Sequence, residues 1–366
     1  MSDTKPLVFI VDDVAENIQI AISHLKALDC DFAYARSGEQ ALARIAELQP
    51  QLILMDVMMP GLSGFETVKK LQEDPLTRSI PVIFLTALSE SEDVVRGFSL
   101  GGVDYISKPF KGMELRSRVR NHLELYAYRT RLENLVAERT REIEVLKDVA
   151  IEAMGEMAEY RHKETGDHIR RTMQYVRILA NKTLKNGQHL EQLTPAYIDM
   201  LYKSAPLHDI GKVAIPDGIL LKPGKLTQEE FEIMKRHTTY GEEIIYKLEE
   251  IAGQTSSFLQ CAKGITGTHH EHFDGSGYPR GLIGEDIPLS GRIMIIADVY
   301  DALVCKRIYK PALSHDEAVR LLAVDRKKDF DPHLLEAFLQ TQGEFDAIAN
   351  RYADPPQTED YFYTRF

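Results

Sequence analysis

Leu52–Asp56 reads LILMD. Four apolar residues in a row, closed by a carboxylate, fit a short strand buried on both faces. The runs LVFIV at 7–11 and PVIFL at 81–85 have the same character. Helix-patterned segments lie between and after them, roughly at 15–28, 38–48, 64–73 and 91–100, and weaker strands fit near 31–34 and 103–106. This alternation predicts an open parallel sheet with helices on both sides. Ligands of such sheets sit at the carboxyl ends of the strands. The residues there are Asp12 and Asp13, Asp56, Thr86 and Lys108. Each alone reads as an ordinary loop residue. Together they form one site, in which three carboxylates hold a hard cation such as Mg²⁺. Asp56 can then attack an anionic phosphoryl donor, Lys108 pairs with the phosphoryl oxygens as a point charge, and Thr86 donates a hydrogen bond to them.

The stretches VDD, LILMDVMMPGLSGFE, FLTA and DYISKPF resemble a response-regulator receiver domain over residues 5–125. The resemblance implies a flavodoxin-like fold with a five-stranded parallel sheet. It makes Asp56 the phospho-acceptor, with a sensor histidine kinase as phosphodonor, and Asp12 and Asp13 the Mg²⁺ carboxylates. Thr86 and Tyr105 match the switch pair, in which the ring turns inward as the threonine moves toward the phosphate. Lys108 precedes Pro109, a pair that carries a cis bond in this family.

The connector, 112–160, holds no proline, and its glycines lie only near its ends. Positions 125, 128, 132, 135, 139, 142, 146 and 149 follow a three-four spacing, and all but Arg139 and Glu142 are apolar. That is the seam of a coiled coil, and it predicts a parallel homodimer. A rival seam runs through Val136 and Ile143, and a single amphipathic helix packed on its own domain is the alternative. A helix of this length would span about 70 Å at ~1.5 Å per residue.

Residues 150–350 are patterned as helices, and potential metal ligands fall within that pattern. Glu164 and His168 stand four apart in KETGDHIRR, on one helix face. PLHDIGK gives His208 and Asp209, with Lys212 one turn on, and KRH gives His237. GTHHEHFDGSGYP, 267–279, gives His269 and His270, and IIADVYDAL gives Asp298 with Asp301 on the same face. A lone histidine is more often a satisfied core or surface residue. Eight ligand-type groups inside apolar patterns need a shared reason, because burying them unpartnered is costly. Mixed imidazole and carboxylate ligation points to Fe, Mn, Ni or Zn rather than Ca²⁺ or Mg²⁺. Eight ligands exceed what one ion takes, so two or three ions are expected, with Asp209 as a bridge. Such clusters suit hydrolysis of a phosphate ester, with Lys212 on a non-bridging oxygen. Lys306, Arg307 and Lys310 of CKRIYK read either as a phosphate clamp or as a solvated helix end.

The ordered motifs ETGDHIRR, HDIGK, HHEHFDGSGYP and DVYDAL resemble the HD-GYP branch of the all-α HD superfamily, over 150–345. By that resemblance Glu164, His168, His208, Asp209, His237, His269, His270 and Asp298 are metal ligands, and Glu164 implies three ions rather than two. Iron comes first, with Mn or Ni as alternatives. Lys212 meets the scissile phosphate, Tyr278, Arg307 and Lys310 help hold substrate, and the substrate is cyclic di-GMP, opened to pGpG and onward to GMP. The GYP loop is also implied to touch diguanylate cyclase (GGDEF) partners. The sequence departs from the family's pattern near Cys305 and Ile308, which bears on substrate contacts. Gly275 and Gly277 are expected to supply backbone freedom in that loop, and Glu271 and His272 to stand behind the ligands or at the surface.

Composition bounds the rest. The net charge of -12 over 366 residues argues against a nucleic-acid polymer as partner. Three scattered cysteines, 30, 261 and 305, give no disulfide framework and fit a reducing cytoplasm. No signal peptide is read at the N-terminus, and no apolar run nears the ~20 residues that cross a bilayer. The tail, 353–366, is expected to pack on the body or fray. The expectation is therefore a phosphorylation-controlled cyclic di-GMP phosphodiesterase. Its alternatives are a non-catalytic nucleotide-sensing or cyclase-binding scaffold, and the same chemistry on pGpG or another cyclic dinucleotide.

Overall fold

In the computed structural model, which describes residues 5–86, 95, 97–160, 167–254, 256–305 and 312–352, the chain divides into two units, 1–141 and 142–366. The first is built on five parallel strands: β1 (Leu7–Val11), β2 (Asp31–Ala35), β3 (Leu52–Asp56), β4 (Val82–Thr86) and β5 (Asp104–Ser107). Their order is β2-β1-β3-β4-β5, and all four neighbouring pairs run parallel. The three uniformly apolar runs became the three central strands, and the two weaker ones became the edges.

The pleat sends alternate residues to opposite faces, and two cores result. Phe9, Val11, Ile53, Met55, Val82 and Phe84 pack on α2 (Gly38–Leu48) and α3 (Gly64–Glu73). Val8, Ile10, Leu52, Leu54, Ile83 and Leu85 pack on α1 (Ala15–Leu25) and on Leu115 and Val119, near the start of α4 (Gly112–Tyr160). Ser63 and Glu66 close a reciprocal capping box on α3, which fixes where that helix begins. Half of the helix expected at 91–100 falls outside the described residues.

Helix α4 is continuous over 49 residues. Leu125, Tyr128, Leu132, Leu135, Leu146 and Val149 of the expected seam are exposed, as are Val136 and Ile143 of its rival. Neither stripe is covered by other described residues. Toward its end the helix joins the second unit, where Ile151 packs with Leu207, Ile245 and Ala262.

That unit is helical, as expected. It comprises the end of α4, then α5 (His168–Lys185), α6 (Pro195–Ser204), α7 (Asp217–Leu220), α8 (Gln228–Lys235), α9 (His237–Ala252), α10 (Ser257–Thr268), α11 (Leu289–Val304), α12 (His315–Arg320) and α13 (Pro332–Arg351). Helices α5, α6, α10, α11 and α13 share one apolar core, with Tyr175 stacked on Phe345 and edge-on to Tyr300. Among the described residues its only strand-like feature is an isolated bridge between Asp274 and Ile283. No described helix is long and apolar enough to cross a membrane.

Candidate metal centre

The site of the second unit is made at helix ends, where the chain can turn a side chain inward without breaking a ladder. His168 opens α5, His237 opens α9 and His269 caps α10. His208 and Asp209 stand between two 3-10 turns, Ala205–Leu207 and Ile210–Ala214. Gly211 lets those turns approach α9, since a Cβ there would lie 1.9 Å from the His237 carbonyl oxygen.

Three of the imidazoles are held the same way. Nδ1 of His208 lies 3.0 Å from the Ala205 carbonyl, that of His237 2.8 Å from Met234, and that of His269 3.1 Å from Ile265. A carbonyl only accepts, so each Nδ1 carries the proton and each Nε2 presents a lone pair. His168 differs, because its Nδ1 lies 2.7 Å from the Asp301 carboxylate. Arg171 grips the same carboxylate through Nε and Nη2 at 2.7 and 3.0 Å. Burial would raise the Asp301 carboxyl, but His168 and Arg171 bring it down to about 2. A carboxylate behind an imidazole is the usual support of a metal-binding histidine.

The Nε2 atoms converge. Those of His168 and His208 are 3.4 Å apart, and those of His237 and His269 are 3.3 Å apart. Asp209 joins the two pairs: Oδ2 lies 3.2 Å from His208 Nε2, and Oδ1 lies 3.2 Å from His237 Nε2 and 3.7 Å from His269 Nε2. Lys212 donates to Oδ2 at 2.6 Å, while Oδ1 is buried with no hydrogen-bond donor among the described residues. Buried lone pairs facing one another without protons are costly unless a cation lies among them. Charge differs between the two ends. At the first, burial pulls the His168 imidazole down, but the charges of Glu159 and Asp301 lift it to about 10. At the second, burial takes His237 down to about 4 and His270 well below its ordinary value. Neutral imidazoles are what a transition metal binds. His237, His269 and His270 group within metal-binding reach of one another, as do His168, His208 and Glu159. Asp298 stands at the edge of the second group, its Oδ1 3.9 Å from His168 Nε2. The residues therefore fit divalent metal ions.

Tyr278 stacks on His270, with ring centroids 4.8 Å apart. Its loop is pinned by Glu271, which is 1% exposed and accepts from the backbone N–H of Arg280 at 2.8 Å and of Leu282 at 3.0 Å. Gly275 has φ +82, as its expected freedom requires. Gly277 does not use that freedom. It is needed for space, because a Cβ there would meet the His272 nitrogen at 2.2 Å.

In the receiver unit, carboxylate oxygens of Asp12, Asp13 and Asp56 come within reach of one ion. Lys108 Nζ lies 2.7 Å from both Asp12 and Asp56. Burial raises the Asp56 carboxyl, against the pull of Lys108. Thr86 is buried at the end of β4, while Tyr105 faces outward at 39% exposure, 5.8 Å from the Arg118 guanidinium. Between them lies a small cavity walled by Val57, Phe65, Phe84 and Phe98. The Lys108–Pro109 bond is cis.

Residues 152–334 match the HD domain family, and residues 8–120 match the response regulator receiver domain. A Vibrio cholerae protein described as a probable cyclic di-GMP phosphodiesterase is 44% identical over 95% of this chain and 80% of its own length. The chain is a response regulator of the HD-domain family. Among other relatives, the cyclic di-GMP phosphodiesterase response regulator RpfG of Xanthomonas campestris is 36% identical over 82% of this chain and 78% of its own length. A 3'3'-cGAMP-specific phosphodiesterase 2 of Vibrio cholerae is 40% identical over 68% of this chain and 45% of its own length.

Of the metal ligands expected for this response regulator, seven are brought together: His168, His208, Asp209, His237, His269, His270 and Asp298. Glu164 lies outside the described residues, as do Arg307 and Lys310. Three contributors were read only in part, or not at all, from the sequence. Glu159, 3% exposed, turns its carboxylate to His168, although the pattern placed it in the connector. Asp301 shares a helix with Asp298 yet faces the outer nitrogen of His168. Glu271 is a buried clamp on the loop, and no surface group. Only its position inside a glycine-rich turn could have signalled that a carboxylate was needed to tie the backbone.

Proposed function

We propose that this chain is a metal-dependent phosphodiesterase that opens cyclic di-GMP to pGpG, and further to GMP, under control of phosphorylation at Asp56. The observation that carries the reading is Asp209, whose two oxygens face two imidazole groups while Lys212 sits on one of them. His168, His208, Asp209, His237, His269, His270 and Asp298, with Glu164, would hold two or three transition-metal ions, iron first and Mn or Ni next. Such ions supply an activated water and neutralise charge on phosphate oxygens.

The chain's own groups do the rest. Lys212 binds a non-bridging phosphate oxygen, in a site dry enough to strengthen that contact. Asp301 and the backbone carbonyls fix each imidazole's tautomer. Tyr278, stacked on His270, walls the substrate side, and Arg307 and Lys310 hold the phosphates. In the receiver, Asp12, Asp13 and Asp56 take Mg²⁺, a histidine kinase supplies the phosphoryl group, and Thr86, Tyr105 and Lys108 respond to it. The exposed stripe of α4 pairs with that of a second copy, giving a homodimer that works in the cytoplasm. The GYP loop offers a face for a diguanylate cyclase.

Similarity to a 3'3'-cGAMP-specific enzyme supports a second reading, the same hydrolysis on a mixed cyclic dinucleotide. The test is chromatography of products from anaerobically purified, metal-loaded protein given each cyclic dinucleotide, with and without beryllofluoride. Cyclic di-GMP is expected to be cut with the higher kcat/KM. His208→Ala and Asp209→Ala should abolish turnover while keeping the helical circular dichroism. Failure to cut any cyclic dinucleotide in either receiver state ends the proposal.

A further inference from the structure

Glu159 lies in the last turn of α4, the helix that begins in the receiver unit with Leu115 and Val119 buried against its strands. It is 3% exposed, and neither of its carboxylate oxygens has a hydrogen-bond donor among the described residues. Oε1 lies 3.4 Å from His168 Nε2. The other ring nitrogen of His168 is committed to Asp301, and that of His208 to a carbonyl. Glu159, His168 and His208 therefore aim three ligand-type atoms at one small volume. An unpaired buried carboxylate is among the costliest groups a core can hold.

We propose that Glu159 is a metal ligand, completing with His168 and His208 the position for one ion of the cluster. Oxygen joins two imidazole nitrogens there, a donor set suited to Fe, Mn or Zn. That ligand is carried by helix α4, which begins in the receiver unit. This rests on the phosphodiesterase reading for its purpose, but not for its test.

The test is elemental analysis of full-length protein, purified anaerobically, loaded with Fe²⁺ and dialysed against graded chelator. Four proteins are compared: wild type, Glu159→Gln, Glu164→Gln and Glu156→Gln, the last altered one turn earlier on α4. Glu159→Gln is expected to lose about one ion per chain, or to hold it ~10-fold or more weakly, since even groups behind the ligands cost that much. Glu156→Gln should match wild type. Should Glu159→Gln disturb folding, as judged by circular dichroism, Glu159→His decides. Restored metal content supports the ligand role, and failure to restore it in folded protein refutes it. Wild-type stoichiometry and chelator resistance in Glu159→Gln overturn the proposal whatever Glu164→Gln does. Hydrolysis by the wild type is scored separately. If it cuts while Glu159→Gln keeps all its metal, only the Glu159 assignment falls. If it cuts nothing, the phosphodiesterase reading falls and the metal counts still judge Glu159.

Discussion

The chain holds two acidic pockets, and they balance their charge differently. In the receiver, Asp12 and Asp56 share the Lys108 ammonium at 2.7 Å each. That pocket carries a cation of its own, and its carboxylates are already paired. The helical unit's cage sets Glu159, Asp209, Asp298 and four converging imidazoles against one nearby ammonium among the described residues, Lys212. Its facing lone pairs and donorless oxygens stay costly until cations enter. A pocket built around a lysine can be switched by a transient phosphoryl group. A pocket of converging metal-ligand groups is stabilised by the cations it binds.

The largest consequence is in stability. Removing metal with a strong chelator should destabilise the helical unit and leave the receiver's transition nearly where it was. Free ion ~1,000-fold above its dissociation constant contributes about 4 kcal/mol by mass action alone. Calorimetry of the full chain, with and without chelator, should show one transition moving down and one standing still. Equal movement of both would erase the contrast.

Next is Lys212, the cage's one lysine partner for Asp209. Lys212→Met should lower kcat by roughly 10²–10³-fold, the usual cost of losing a donor to a charged transition state. KM should change far less, and bound metal should stay. A rise in KM at constant kcat would instead mean that the lysine binds substrate and transition state equally.

Why the first pocket was so legible in the sequence, and the second only in part, follows from geometry. Parallel strands announce themselves as short apolar runs, and the residue after each run must lie at one sheet edge. Asp12, Asp56 and Thr86 could therefore be placed together from spacing alone. The cage is assembled from helix ends far apart in the chain, and spacing cannot say which ends meet. Its histidines stood out because polar groups broke an apolar pattern. Glu159 did not, because it ends a long charged helix in which one more glutamate carries no signal. Burial made it conspicuous, and burial there is a tertiary fact. Asp301 shows the same limit: a three-residue step from Asp298 put both on one helix face, but only the fold decides that one faces the cage and the other the back of His168. Gly277 was read for its freedom and is needed for its smallness, which no local pattern distinguishes.

The smallest expected effect sharpens the comparison from the receiver's side. Arg118 of α4 meets Asp104 of β5 at 2.6 Å, beside the Tyr105 ring. Burial would raise the Asp104 carboxyl, but the hydrogen bond from Arg118 and then that of the Tyr105 backbone bring it below its ordinary value. A depressed folded value stabilises above the unfolded pKa, near ~3.9, and that contribution is lost as pH falls through the folded value. Arg118 is about a third exposed, so solvent screening holds the pair to about 0.5–1 kcal/mol. Arg118→Met should therefore weaken the receiver transition in urea by that amount at pH 7. The gap between variant and wild type should narrow steadily as pH falls from 5 through the folded value of Asp104. A gap that persists below that value would mean the arginine's stem, packed along the helix, matters more than its charge. The receiver would then be held by packing, with Lys108 as the one ion pair on which its pocket depends.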